Sequence, residues 1–135
     1  MKTIKVINKN QVVLLVFERS TNQEMLELCK EFSNKGLAMI LFSNPAEIIL
    51  EKLERNNISS SNIFFIDCIS KKQQKSKNII YTTSPEALTE LSLAASQLLK
   101  SEDIVIIILD SISTMLINSK DIVLVRFLHD LVSKV

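Results

Sequence analysis

The chain has 135 residues, 47% of them hydrophobic and 23% charged, with one glycine and two prolines. This length fits a single globular domain over residues 1–135, and the apolar content excludes disorder over most of the chain. Sixteen basic against fifteen acidic residues give a net charge of +1, which excludes a global positive field that would gather nucleic acid or an anionic membrane. The single glycine also excludes a glycine-rich phosphate loop.

The cysteines and the apolar runs bear on the cellular compartment. Cys29 and Cys68 are too far apart for a metal-binding spacing, and their apolar surroundings suit reduced thiols. The first residues lack the unbroken apolar stretch of a signal peptide, and the strongest apolar run, residues 104–109, is bounded by Asp103 and Asp110. We therefore expect a cytoplasmic protein with no membrane span, no metal and no cofactor.

The first strand and helix are predicted before residue 37. Residues 12–17 form a short β-branched run, typical of a strand covered on both faces. Thr21 and Glu24 form a capping box that starts a helix, and Gly36 is predicted to cap its C-terminal end.

The middle of the chain repeats this pattern. Residues 37–42 predict a strand, and Asn44-Pro45 predicts an N-cap followed by proline at the first helical position. Residues 63–66 predict a third strand that ends at Asp67, ahead of a basic loop.

The last third completes the alternation of strands and helices. Residues 79–81 predict a short strand, Ser84-Pro85 starts a long helix, and residues 104–109 predict the most apolar strand. A final helix is predicted over residues 119–133. The order predicts a three-layer α/β/α sandwich with a mostly parallel sheet.

Polar residues follow each predicted strand, where open parallel sheets bind their ligands. The acids among them could bind Mg²⁺ or act as an acid and base pair, whereas the simpler interpretation is that they accept loop and helix N–H bonds. These residues are Glu18, Ser43, Asp67, residues 82–84, Asp110 and Ser111.

The apolar run 104–109 followed by Asp110-Ser111 resembles the Walker B strand of RecA-like ATPases of the KaiC type. Residues 65–70, 83–91 and 126–129 are similar to a group of small, mostly archaeal relatives. The resemblance implies a RecA-like, P-loop NTPase-like topology, with Asp110 as the Mg²⁺-side aspartate.

Two catalytic elements of that family are missing. After the first predicted strand, residues 18–22 contain no glycine and no lysine, and Glu18 would repel phosphate. Ser43-Asn44 stands where the resemblance implies a catalytic glutamate. We therefore expect a domain that is not an enzyme, with Asp110 retained for structure.

Two surfaces are candidates for interactions. The basic loop carries Lys71, Lys72, Lys75 and Lys77, but no aromatic residue lies among them to stack on bases, which argues against nucleic acid. The final helix has a wide apolar surface, which either packs inside the fold or binds another protein. Its candidate contact residues are Ile122, Val125, Phe127 and Leu128.

The sequence thus predicts a non-catalytic RecA/KaiC-like regulatory or interaction module that self-associates or pairs with an intact ATPase relative. One alternative is a nucleotide- or Mg²⁺-binding domain that uses Asp110, Asp67 and Ser111 at the strand ends. A receiver-like signalling domain is another, although Glu18 stands beside Arg19 rather than a second acid.

Overall fold

A computed structural model of the protein describes residues 3–7, 13–17, 22–70, 78–83, 88–101, 103–110 and 121–134. These residues form a six-stranded sheet between two layers of helices. In chain order the elements are β1 (Thr3–Ile7), β2 (Val13–Phe17), α1 (Asn22–Phe32), β3 (Gly36–Leu41), α2 (Ala46–Arg55), β4 (Ile63–Asp67), β5 (Ile79–Tyr81), α3 (Leu88–Ser101), β6 (Ile104–Asp110) and α4 (Asp121–Lys134).

The strands lie in the order β1-β2-β6-β3-β4-β5. Every neighbouring pair from β2 to β5 is parallel, and β1 runs antiparallel to β2 at one edge. The predicted three-layer α/β/α sandwich with a mostly parallel sheet is confirmed, and the arrangement is consistent with a Rossmann-like or RecA-like sandwich. The edge strand β1 was not predicted.

The two faces of the sheet carry separate hydrophobic cores, because successive side chains of a strand point to opposite faces. On β3, Ala38 and Ile40 belong to the core under α3 and α4. Leu37, Met39 and Leu41 belong to the core under α1 and α2. The central strand β3 therefore anchors both helix layers.

Gly36 does not cap α1, and that prediction is wrong. The helix ends at Phe32, and Gly36 is the first residue of β3 and does not have a positive φ. A Cβ atom at Gly36 would lie 2.6 Å from the carbonyl carbon of Asp103 and closer still to its oxygen. The glycine is needed here because the backbone before β6 approaches it closely.

The close approach coincides with an irregularity in strand pairing. Gly36 pairs with Ile104, whereas Leu37 pairs with Ile106, so Val105 is an extra residue on β6. Such a bulge reverses the face to which the following side chains point. Accordingly, Ile104 lies in the core under α3 and α4, and Ile106 lies in the opposite core.

Helix α2 starts one residue later than predicted. Pro45, not Asn44, occupies the N-cap position, and it makes no side-chain cap hydrogen bond. The first helical residue is Ala46, whose N–H donates to Oδ2 of Asp67 at 2.9 Å. The free donor at the helix start is therefore satisfied by a strand end 21 residues away.

Helix α2 ends in a Schellman motif. The N–H of Ile58 donates to the carbonyl of Leu53 at 2.9 Å, and the N–H of Asn57 donates to the carbonyl of Glu54 at 3.1 Å. Asn57 adopts a left-handed conformation with φ of 57°. Ile58 and Leu53 lie in the same core, which is the hydrophobic contact that often accompanies this motif.

Replacing Asn57 with glycine should stabilise the protein by about 0.5 kcal/mol, because glycine adopts the left-handed conformation without a Cβ penalty. Asn57→Ala should instead destabilise it by about 1 kcal/mol. Chemical denaturation of the two variants beside wild type measures both values. A more stable alanine variant would contradict the assigned conformation.

Candidate functional site

The strands on either side of β3, which are β4 and β6, each end in an aspartate, and the two aspartates lie at the same level of the sheet. Leu41, the last residue of β3, pairs with Asp67 on β4 and with Asp110 on β6. The two aspartates are therefore two strand spacings apart, about 10 Å between their Cα atoms. The structure thus brings the predicted candidates Asp67 and Asp110 to one edge, separated by a strand that ends in leucine.

Asp67 is buried, and its own chain surrounds the carboxylate with donors. Oδ1 accepts the N–H groups of Ile69 at 2.8 Å and Ser70 at 2.9 Å. Oδ2 accepts the N–H of Ala46 at 2.9 Å and the hydroxyl of Ser70 at 2.7 Å. Each carboxylate oxygen thus accepts two hydrogen bonds from the protein, which fits a residue that joins β4, its following loop and α2.

This environment favours the charged form of Asp67. Burial raises the pKa of the carboxyl group, but the hydrogen bonds from Ser70, Ala46 and Ile69 outweigh burial and hold the pKa below its ordinary value. The group is therefore a fixed carboxylate at neutral pH. A carboxylate held in this way suits a structural role better than a role in proton transfer.

Asp110 ends β6 and lies in a different environment. It is 4% exposed, and its backbone carbonyl accepts the N–H of Phe42 at 2.8 Å. Asp110 lines a small cleft between α1 and α2, with Asn44 and Lys52 as the other polar residues of the lining. The apolar lining consists of Met25, Leu26, Cys29 and Ile49.

Sequence reasoning did not identify Asn44 and Lys52 as neighbours of Asp110. Lys52 follows Ile49 by three residues on α2, which places both on the same side of the helix. That spacing could have indicated that Lys52 and Ile49 share one side of the helix. It could not have indicated that this side lies beside the end of β6, because that depends on how α2 packs. The cleft combines one acid, one amide and one amine with apolar walls.

Hydroxyl side chains follow β3 and β5. Thr82, after β5, is buried, and its N–H donates to the carbonyl of Asp67 at 3.0 Å. Thr83 donates to Glu90 of α3 through its N–H at 2.8 Å and its hydroxyl at 2.7 Å. Ser43, after β3, is exposed. Glu90 was not predicted as a site residue, and it ties the loop after β5 to α3.

Both cysteines are buried free thiols. Burial raises the pKa of Cys29 to about 12 and that of Cys68 to about 12. The thiol of Cys29 lies 3.9 Å from the sulfur of Met39, inside the core. Neither thiol is suited to nucleophilic chemistry, because the reactive species is the thiolate.

Several predicted residues fall outside the described part of the chain. These are Glu18, Ser84, Ser111 and the lysines Lys71, Lys72, Lys75 and Lys77. Ile122 and Val125 belong to α4, but their side chains are outside the description. Phe127 is buried in the core under α3 and α4, and Leu128 packs against that core. The structure therefore places Phe127 inside the fold rather than on a contact surface.

Among the described residues, no group of three or more His, Cys, Asp or Glu side chains is placed to hold a metal ion. In the same part of the chain, no helix has the length and apolar character needed to cross a membrane.

Comparison with protein-family models, with curated proteins and with solved structures gives no match for this chain.

Proposed function

We propose that this chain is a degenerate RecA/KaiC-like domain that does not hydrolyse ATP and acts as a regulatory or protein-interaction module. It works in the cytoplasm, where its two thiols stay reduced. Its partner is a second copy of the chain or a related, intact ATPase.

The position of the single glycine carries the proposal. A phosphate cradle at a strand end needs glycines that let several backbone N–H groups converge on the anion. The chain has one glycine, Gly36, and it starts β3 at the opposite end from the strand ends where ligands bind. The chain therefore lacks the phosphate-binding loop that nucleotide hydrolysis in RecA/KaiC-like ATPases requires.

The residues that end or follow β3 and β4 support the same conclusion. Ser43 and Asn44 follow β3, where the family resemblance implies a glutamate. Asp67 is held by four hydrogen bonds from its own chain. Neither position supplies a general base or a metal ligand.

The cleft beside Asp110 favours a second candidate function, which is binding of a nucleotide or Mg²⁺ without a phosphate loop. Asp110 is a buried acid that lines this cleft together with Lys52. We rank this function second because the remaining lining is apolar, and a hydrated magnesium ion favours oxygen ligands.

A thermal-shift titration with ATP, ADP and Mg²⁺, paired with an assay for phosphate release, tests the proposal. A ligand at ten times its dissociation constant stabilises the native state by about 1.4 kcal/mol, which raises the Tm by about 5 °C for a chain of this size. We expect no shift at millimolar nucleotide and no phosphate release.

Asp110→Asn is the discriminating variant. A shift in wild type that disappears in Asp110→Asn would overturn the proposal in favour of the second candidate. With no shift in either protein, Asp110→Asn should change only the stability, which denaturation measures.

A further inference from the structure

The outward side of α3 differs from that of α1 and α2. We call Thr89, Ser92, Leu93, Ser96 and Gln97 the α3 outer face; three of them are exposed and the two serines are half-buried. Residues 91–99 contain no charged side chain. The helix therefore presents about two and a half turns of uncharged surface.

Charged residues dominate the corresponding surfaces of the other layer. The exposed positions of α1 and α2 carry mostly charged side chains, more acids than bases, which is ordinary for a solvated helix. These positions include Glu27, Lys30, Glu31, Glu47, Glu51, Glu54 and Arg55. Charged residues are depleted at the centres of protein interfaces, and in its lack of charge the α3 outer face resembles an interface, whereas the outer faces of α1 and α2 do not.

Leu93 is the most exposed large hydrophobic side chain in the described part of the chain. It is 68% exposed, compared with 43% for Ile48 on α2. The buried side of α3 is already complete without it, with Leu91, Ala94 and Leu98 in the core. Leu93 is therefore not part of the core, and its apolar surface is exposed.

We propose that the α3 outer face binds the same face of a second copy of this chain, with the two helices antiparallel. Glu90 and Lys100 flank the uncharged segment and lie about 15 Å apart along the helix. An antiparallel pair centred near Ala95 places Glu90 of each copy opposite Lys100 of the other. A parallel pair in register would place like charges together instead.

The carboxylate of Glu90 is already held in position. Thr83 donates one hydrogen bond to each of its oxygens, which leaves acceptor capacity on both. Ser96 lies next to the centre of the pair, and its small side chain allows the helices to approach closely. The surface is thus complementary to itself in charge, and Ser96 leaves room for a second helix.

One helix pair buries less area than a permanent dimer, so the association should be weak and dependent on concentration. The inference rests on the proposed function, because it names the partner of the interaction module.

Leu93→Glu is the first test, and Ile48→Glu is its matched control. Both change an exposed aliphatic residue on a helix to the same charge, and neither side chain is in the core. By light scattering over a concentration series, wild type and Ile48→Glu should reach twice the chain mass, whereas Leu93→Glu should stay monomeric. A monomeric wild type, or a dimer that survives in Leu93→Glu, would overturn the inference.

A crosslink tests the orientation independently. Ser96→Cys lies near the two-fold axis, so mild oxidation should join two copies by a disulfide, whereas Ser61→Cys, at an exposed turn before β4, should not crosslink. The native thiols do not compete, because burial raises the pKa of both Cys29 and Cys68 to about 12. A dimer without the Ser96→Cys crosslink would contradict the antiparallel arrangement.

The ion pairs make a third prediction of the same arrangement. Lys100→Glu should raise the dimer dissociation constant about tenfold, because it replaces two exposed ion pairs with like charges at once. Unchanged affinity in Lys100→Glu would count against the arrangement.

The outcome of these experiments can be distinguished from the outcome of the nucleotide test of the proposed function. If nucleotide binds and the dimer also forms through α3, the proposed lack of a nucleotide site fails and the interface stands. If no nucleotide binds and the chain stays monomeric, the interface fails and the non-catalytic assignment stands with a different partner.

Discussion

Asp67→Ala should lower the free energy of unfolding by about 4 kcal/mol, the largest effect we expect from a single substitution in this chain. The substitution leaves the N–H groups of Ala46, Ile69 and Ser70 without the acceptor that they have in the wild type. A buried donor that loses its partner costs about 1–3 kcal/mol. Urea denaturation followed by circular dichroism measures the change.

The matched controls separate the hydrogen bonds from the loss of a side chain. Asp67→Asn keeps the size but directs an NH₂ group at N–H donors, so it should also destabilise, by about 3 kcal/mol. Asp103→Asn removes the charge of an exposed aspartate and should change stability by less than about 0.5 kcal/mol. Equal stabilities for the variants at positions 67 and 103 would show that the Asp67 network is not formed.

The same residue gives the protein a pH dependence of known sign. The pKa of Asp67 is lower in the folded chain than its ordinary value, so the folded state binds its proton less readily than the unfolded state. The stabilisation is therefore fully present above the unfolded pKa of about 4 and is lost as the pH falls through the folded value. The stability difference between wild type and Asp67→Asn should shrink below about pH 4.

The second large effect is expected at Gly36. Gly36→Ala should destabilise the protein by about 3 kcal/mol, because its Cβ atom would overlap the backbone carbonyl of Asp103. The obstacle is backbone rather than the end of a flexible side chain, so relief requires that β3 and β6 move apart. Thermal unfolding by calorimetry measures the loss.

Val105→Ala is the control for the same region. Val105 is 36% exposed at the bulge opposite Gly36, so its truncation should cost less than about 1 kcal/mol. If Gly36→Ala were as stable as Val105→Ala, the close contact between Gly36 and the backbone of Asp103 would be contradicted.

The periodicity of the sequence was enough to predict most of the sheet. Five of the six strands, β2 to β6, follow apolar runs that are visible without a structure, because a strand buried on both faces needs such a run. Strand β1 was missed because Lys5 interrupts its apolar run. Its alternation of Ile4, Lys5 and Val6 was the available signal.

Tertiary contacts account for what the sequence could not predict. Gly36 matched the pattern of a helix cap, and only the position of Asp103 shows why glycine is required there. The interpretation of Asp67 as an acceptor of N–H bonds came from its place after a strand, but its bond to Ala46 depends on how β3 and β4 pair. The neighbours of Asp110 in the cleft likewise depend on how α2 packs.

The bond between Asp67 and Ala46 has a consequence for how the chain opens. Helix α2 lacks a side-chain cap of its own, since Pro45 precedes it, and it acquires its cap only when β4 lies beside β3. The amides of Ala46, Ile69 and Ser70 share one acceptor residue, so they should exchange with solvent as one cooperative unit. In a fragment that contained α2 but ended before β4, the helix would lack this cap and should be less stable.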